Sequence, residues 1–432
     1  MISTLVQTPI SHPIQKIVQV PGSKSITNRA LVLAALQSSG GGATLHHVLQ
    51  SEDTEVMVHA LKELGFDLEV DWSAKRIRVN RQHTGRIIPV EKADLFVGNS
   101  GTSVRFLTAM LALGGGKYRL DGIARMRERP IQDLLDALKE LGLEAYSEQG
   151  TGCPPVTILA RPWQNHRVTI RAHLSSQFLS ALMLAIPFAA HRTEIFVQGE
   201  TVSEPYIEMT YRMVKDWGLS LDRTESGYRS HGISQRTHFL ENYSIEPDAS
   251  SASYFFAAAA LTGGEITVQG LTRRSLQGDV AFLDALARMG ATTDETPLGL
   301  RVRGGEALRG IDIDMNAISD TTMTLAVLAL FAQGTTRIRN VAHIRHKETD
   351  RISALATELR KCGAAVEEFP DGLQITPGPL RDATIATYND HRMAMSFALV
   401  GLKQPRIEIQ NPSCVAKTYP NFWEDWAELK KK

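Results

Sequence analysis

The first thing this sequence lacks is a surplus of either charge: 47 Lys and Arg stand against 47 Asp and Glu. A bulk basic field of the kind that holds nucleic acid or an anionic membrane is thereby excluded, and any anion site has to be built locally. Cysteine is scarce. Cys153, Cys362 and Cys414 are far apart and in no C-x-x-C spacing, which argues against a disulfide frame or zinc site and for a reducing compartment. Long apolar runs are missing as well. Stretches such as Ala181 to Ala190 are far short of a membrane span, and residues 1–20 have neither the charged start nor the continuous apolar run of a signal peptide. The expectation is a soluble cytoplasmic protein with neither membrane nor nucleic acid among its partners.

Several chemical signatures are absent too. No G-x-S-x-G and no G-x-G-x-x-G opening a helix is present. A P-loop needs Gly directly before its Lys, and Ser23 precedes Lys24. His46-His47 and His343-x-x-His346 form no coherent ligand set, so no metal is expected.

What is there is a repeat. At 432 residues the chain is too long for one ordinary core, and two domains are expected. Six apolar helices open on small polar residues: Ser23-Lys24-Ser25, Asn99-Ser100-Gly101-Thr102, Ser175-Ser176-Gln177, Asp248-Ala249-Ser250, Ser319-Asp320-Thr321 and Asn389-Asp390-His391-Arg392. Each is followed by a strand-like segment and a second helix. Five of the second helices stop at a glycine, Gly65, Gly142, Gly218, Gly290 and Gly363, where a C-cap wants a left-handed residue. A hairpin-like pair then follows. The period of roughly 70 to 76 residues suits a βαβαββ unit rather than a simple solenoid. The sixth unit ends in a helix, Asn421 to Lys432, and the strand-like Ile14 to Val20 could supply what it lacks. Two domains of three units follow, one of residues 1–22 plus 246–432 and one of residues 23–245. If equivalent helix starts line the cleft between them, they give it positive potential without excess basic residues.

Charged residues gather at the same phase of the repeat. Pro21 to Arg29 packs one Lys, one Arg and three hydroxyls into nine residues, which reads as an anion cradle or as an ordinary N-cap with two solvated cations. Arg125-Met126-Arg127-Glu128-Arg129 carries three arginines in five positions. The run His343 to Arg351 occupies the corresponding place in the fifth unit, and Arg392 and Lys417 belong to the sixth. Arginine forks suit planar oxyanions, although a solvated surface explains each run taken alone. Asp320 directly before an apolar helix (Met323 to Phe331) fits either an N-cap or a working carboxylate. Glu348, between Lys347 and Arg351, fits an ion pair or an acid. From the residues alone, the chain is an enzyme or binder for a small, multiply anionic molecule.

The motifs Pro21-Gly22-Ser23-Lys24-Ser25 with Arg29, Gly98-Asn99-Ser100-Gly101-Thr102, Arg125-x-x-Glu128-Arg129-Pro130, Ser175-Ser176-Gln177-Phe178, Lys347-Glu348-Thr349-Asp350-Arg351 and Tyr388-Asn389-Asp390-His391-Arg392-Met393 resemble, in order, the 5-enolpyruvylshikimate-3-phosphate synthase family. The resemblance implies an α/β (α+β) fold of two domains, each of three βαβαββ repeats with helices inside and sheets outside, an inside-out α/β barrel. It implies transfer of the enolpyruvyl group of phosphoenolpyruvate to the 5-hydroxyl of shikimate 3-phosphate by addition and elimination, with no metal or organic cofactor; a monomer is the expectation, though the sequence does not fix the oligomeric state. Carried over by position, Lys24, Ser25, Arg29, Ser175, Ser176, Gln177, Ser203, Tyr206, Asp320 and Lys347 hold shikimate 3-phosphate. Lys24, Asn99, Gly101, Arg125, Gln177, Arg351, Arg392 and Lys417 hold phosphoenolpyruvate. Asp320 is the base for the 5-hydroxyl, and Glu348 with Lys24 gives the proton to the methylene carbon. The chain departs from the family's pattern at two positions. Phe106 stands where the family commonly has Pro, which implies altered sensitivity to glyphosate, a phosphoenolpyruvate-mimicking inhibitor. His343 stands where many relatives have Asn, and it is left out of the binding set. Two alternatives remain open: the sister transferase acting on UDP-N-acetylglucosamine, and a repeat protein that binds a phosphorylated ligand without turnover.

Overall fold

Twelve α-helices fall in six pairs among the described residues, 3–233 and 239–431, of a computed structural model. In chain order the pairs are α1 (Lys24–Gln37) with α2 (Glu52–Glu63), α3 (Gly101–Leu111) with α4 (Gln132–Glu140), and α5 (Ser176–Ala185) with α6 (Glu204–Asp216). They continue with α7 (Ala249–Thr262) and α8 (Phe282–Arg288), α9 (Thr322–Leu328) and α10 (Arg351–Lys361), and α11 (His391–Phe397) and α12 (Phe422–Leu429). The chain divides into one unit of Met1–Pro21 with Glu246–Lys432 and another of Gly22–Ile245.

The two members of a pair differ in what they bury. Every residue of α7 is buried, and so is α1 from Ile26 to Gln37, as expected for helices apolar all round. The second helices are amphipathic: α4 buries Leu134, Leu135, Ala137 and Leu138 and leaves Lys139 and Glu140 exposed. The first helices pack on one another within each unit, α1 with α3 and α5, and α9 with α7 and α11. The glycine after α2, Gly65, has φ 85°, and Gly142 after α4 has φ 90°, the left-handed C-cap that the sequence anticipates.

The sheets repeat one pattern. Lys92–Phe96 runs parallel to Gly116–Asp121, which pairs antiparallel with Val156–Ala160, itself paired antiparallel with Glu144–Ser147. The same order joins Arg167–Arg171, Thr193–Gln198, Gly227–Ser230 and Asp222–Thr224. Their outer faces are polar: along Arg76–Val79, Ile77 and Val79 are buried while Arg76 and Arg78 are exposed, the alternation of a sheet covered on one side.

The chain's ends close the pattern differently from the sequence expectation. Gln15–Val18 does not complete the sixth unit. It runs parallel to Glu265–Gln269, the strand that follows α7 in the fourth. The sixth unit's sheet is completed by Thr4–Val6, antiparallel to Ile407–Gln410, a strand the sequence reading missed. Two helix ends also move inward. The expected helix Met323 to Phe331 is α9 followed by a 3-10 turn, Ala329–Phe331. The C-terminal helix ends at Leu429, and Lys432 lies outside the described residues. Among the described residues no helix is long and apolar enough to cross a membrane.

Candidate functional site

In the unit Gly22–Ile245, side chains at successive helix starts bond one another. Ser23 caps α1, its Oγ accepting from Ile26 N (3.4 Å). Gly22 cannot carry a side chain, because a Cβ there would lie 2.0 Å from the carbonyl oxygen of His47. Lys24, the first residue of α1, donates to Asp53 Oδ2 of α2 at 3.2 Å. The Asp53 carbonyl accepts from Ser103 Oγ of α3 (3.5 Å), and Ser103 N in turn bonds Ser100, the cap of α3 (3.3 Å). Gln177 Nε2 on α5 donates to Thr102 Oγ1 (3.3 Å), while its Oε1 accepts from Arg105 Nη1 (2.7 Å). Ser175 caps α5 by accepting from Gln177 N (3.2 Å), and Ser176 is buried beside it.

Arg29 lies one turn into α1 and is buried. Its Nε donates to Thr210 Oγ1 (2.7 Å), Nη1 to the Ser25 carbonyl (3.0 Å) and Nη2 to the Tyr206 carbonyl (3.3 Å). Burial pushes its pKa down to about 10, so it stays charged at neutral pH. Ser203, next to Tyr206, takes a left-handed conformation (φ 52°) just before α6 and is buried. The structure thus brings Lys24, Ser25, Arg29, Asn99, Gly101, Ser175, Ser176, Gln177, Ser203 and Tyr206 to the starts of α1, α3, α5 and α6. Arg125 is placed on the 3-10 turn Ala124–Glu128 and bonds Glu128 Oε2 (2.7 Å) with its side chain 30 % exposed.

Asp53 and Arg129 belong to this cluster and were not anticipated. Arg129 donates from Nη1 to the Asn99 carbonyl (2.8 Å) and to Asn99 Oδ1 (3.2 Å). The available signal was its place in the three-arginine run. For Asp53 the signal was an acidic residue in the first turn of a helix, which is commonplace. His46 and His47 bond Asn242 and Ser244, both at 3.0 Å, on the strand paired with Ala43–His46.

The other unit, Met1–Pro21 with Glu246–Lys432, gathers a denser charge cluster around Asp320. Asp320 does not cap α9. It sits in the 3-10 turn Asn316–Thr321, and Thr321 is the N-cap. Its Oδ1 accepts from Lys347 Nζ (2.6 Å) and Arg351 Nη1 (3.4 Å), and its Oδ2 from Arg392 Nη2 (2.8 Å). Burial works to raise this carboxyl, but the charges of Arg392, Lys347 and Arg351 outweigh it and hold the pKa well below the usual carboxylate range. Burial pushes Lys347 down, against the pull of Asp320.

Arg351 opens α10 with its side chain only 1 % exposed. Its Nε and Nη2 fork onto Asp390, at 2.8 and 3.2 Å, and Nη2 also reaches Glu348 Oε2 at 2.8 Å. Burial would lower its pKa, but Asp390, Glu348 and Asp320 raise it instead. Lys417 Nζ lies 4.0 Å from Glu348 Oε1. Asp390 also caps α11 by accepting from Arg392 N (2.9 Å), so one carboxylate holds both the Arg351 guanidinium and the helix start that carries Arg392. Asp279, before α8, bonds Ser250, and burial together with the Asp320 charge pushes its pKa up to about 6.

Not every charge in the basic run points to this cluster. Arg345 is turned to Asp350 and Glu368 (2.8 and 2.9 Å), a structural tie to the strand Ala365–Phe369. His343 is buried, and burial followed by the Lys347 charge lowers its pKa to about 3, which keeps the ring neutral at physiological pH.

Helix starts and cations can bind oxyanions, and carboxylates packed among cations, as Asp320 and Glu348 are, are of the kind that can act as acid or base. The family described as EPSP synthase (3-phosphoshikimate 1-carboxyvinyltransferase) matches residues 9–426. The 3-phosphoshikimate 1-carboxyvinyltransferase of Trichormus variabilis is 46 % identical over 420 residues, covering 97 % of each chain. That of Thiobacillus denitrificans is 47 % identical over 418 residues, covering 95 % of this chain and 96 % of its own. Among solved structures, EPSP synthase from Acinetobacter baumannii superposes with a TM-score of 0.80 at 24 % identity, over 99 % of this chain and 98 % of that one. The enolpyruvyl transferase NikO from Streptomyces tendae does so at 0.78 and 18 % identity, with the same coverage; both likenesses establish the fold. On sequence and fold together, the chain belongs to the EPSP synthase (3-phosphoshikimate 1-carboxyvinyltransferase) family.

Proposed function

We propose that this chain is a 3-phosphoshikimate 1-carboxyvinyltransferase: it moves the enolpyruvyl group of phosphoenolpyruvate onto the 5-hydroxyl of shikimate 3-phosphate and releases phosphate. The product, 5-enolpyruvylshikimate 3-phosphate, lies on the route to chorismate and the aromatic amino acids. The observation that carries the reading is the clamp on Asp320, a carboxylate held by Lys347, Arg351 and Arg392. Both substrates carry a phosphate and a carboxylate, so they call for several oriented cations.

In this reading shikimate 3-phosphate is held by Lys24, Ser25, Arg29, Ser175, Ser176, Gln177, Ser203, Tyr206, Asp320 and Lys347. Phosphoenolpyruvate is held by Lys24, Asn99, Gly101, Arg125, Gln177, Arg351, Arg392 and Lys417. The 5-hydroxyl oxygen attacks the carbon that bears the phosphate ester and gives its proton to Asp320. Glu348, with Lys24, protonates the methylene carbon. Elimination then breaks the bond to phosphate while the new methyl group returns a proton, which restores the double bond. With three cations upon it, Asp320 is a weak base. A substrate anion that engages Lys347, Arg351 or Arg392 draws their field away and raises its basicity as the hydroxyl arrives.

The test is incubation of the purified protein with phosphoenolpyruvate and either shikimate 3-phosphate or UDP-N-acetylglucosamine. Phosphate release with the first pair is expected. Release with the UDP-sugar alone would select the sister transferase, and release with neither would leave a binding protein.

A further inference from the structure

The three arginines of the run 125–129 meet different fates. Arg125 bonds Glu128, and Arg127 spans Asp121 with Nε to Oδ1 at 3.0 Å and Nη2 to Oδ2 at 2.8 Å. Arg129 is 5 % exposed, and among the described residues no carboxylate lies within ion-pair distance of it. Its Nε is buried without a hydrogen-bond partner. A buried cation with no counter-ion is costly, so its position invites an anion from outside the chain.

Arg129 also has a defined grip. Its Nη1 takes both the carbonyl and Oδ1 of Asn99. Because Oδ1 is engaged as acceptor, the carboxamide is set with Nδ2 as its donating end. Nη2 lies 2.2 Å from where a Cβ on Gly101 would stand, so the guanidinium fills the space beside the first residue of α3. Asn99 and Gly101 are two of the residues assigned above to phosphoenolpyruvate.

We propose that Arg129 is a positioning residue of the phosphoenolpyruvate half-site: it orients Asn99 and lends the bound oxyanion an uncompensated buried positive charge. The proposal rests on the transferase reading. Asn99 presents its amide donor to the anion only while Arg129 holds its acceptor end. The guanidinium also keeps the Gly101 backbone, at the positive end of α3, from shifting.

The experiment compares wild type, Arg129→Gln, Arg129→Lys, Asn99→Ala and the Arg129→Gln/Asn99→Ala double variant, in kcat, both KM values and thermal midpoint. In Arg129→Gln the KM for phosphoenolpyruvate should rise about tenfold or more, as loss of a charge-assisted contact does. The KM for shikimate 3-phosphate should stay within about twofold, and Arg129→Lys, which keeps the charge but not the fork, should fall between. The double variant should be no worse than about twofold beyond the poorer single one, because the two residues act as one unit. An unchanged KM for phosphoenolpyruvate in Arg129→Gln overturns the proposal, as do equal rises in both KM values with a lowered midpoint, or multiplied effects in the double variant. If Arg129→Gln fails to fold, Arg129→Lys and Asn99→Ala decide by the same KM split. Wild type that releases no phosphate from the substrate pair overturns the transferase reading and this proposal together. Turnover by wild type with an unaffected Arg129 variant overturns this proposal alone.

Discussion

Arg29 carries its guanidinium carbon 5.0 Å from the centre of the Phe106 ring, so a residue of α1 assigned to shikimate 3-phosphate is braced by the interior of α3. Phe106 is 1 % exposed, and a desolvated cation over an aromatic face is well placed to hold its angle. Phe106→Leu should raise the KM for shikimate 3-phosphate about fivefold, equivalent to about 1 kcal/mol. A KM that does not move would show that the hydrogen bonds to Thr210, Ser25, Ser180 and Tyr206 hold Arg29 without the ring.

Phe106→Pro asks a different question. Proline at the sixth position of α3 removes a helical N–H and crowds the carbonyl four residues earlier, at Thr102, beside Gly101. Both the KM for phosphoenolpyruvate and the inhibition constant of glyphosate should shift, each by about threefold or more if about 0.7 kcal/mol of local rearrangement reaches the loop. Steady-state inhibition measures both, and two unchanged constants remove Phe106 as a determinant of either.

The Lys24–Asp53 pair is nearly buried on both sides, with side-chain exposures of 13 % and 3 %. Asp53→Asn keeps the shape and removes the charge that draws the ammonium toward α2. Turnover should fall about tenfold, the size of one hydrogen bond to a charged group. A kcat within twofold of wild type would make Asp53 a helix-start residue and nothing more.

Much of this was legible in the sequence, and the exceptions share a cause. The six polar helix starts and the glycine stops are local signals, readable because caps and periodicity are written within a few residues. Thr4–Val6 has three residues and pairs with Ile407–Gln410 some four hundred positions away, so nothing nearby announces it. Gln15–Val18 was visible as a strand but not its partner, because pairing depends on where α7 brings Glu265–Gln269. Within the site, Asp320 could not be separated from a cap by composition. Among the three arginines, only packing distinguishes Arg129, turned to Asn99, from Arg125, turned to Glu128.

Asp279 gives the fold a pH signature. Its pKa in the fold is about 6 against 3.8, raised by burial and then by Asp320. A folded value above the unfolded one means the associated stability is fully present below about pH 3.8 and lost as pH rises through about 6. Asp279→Asn should therefore gain stability at pH 7.5 by about 1–3 kcal/mol, and gain much less at pH 4. Thermal unfolding at the two pH values measures the difference. A gain that is equal at both would show that the carboxyl is ionised throughout.

The most direct test of the account is to give Asp320→Ala both substrates. Of the residues assigned to shikimate 3-phosphate, only Asp320 is changed in that variant, so shikimate 3-phosphate should still bind, measured by titration calorimetry within about tenfold of wild type. Phosphate release should be lost, because no group remains to take the 5-hydroxyl proton. Near-normal phosphate release from Asp320→Ala would contradict the assignment of the base, and with it the role given to the charge cluster around it.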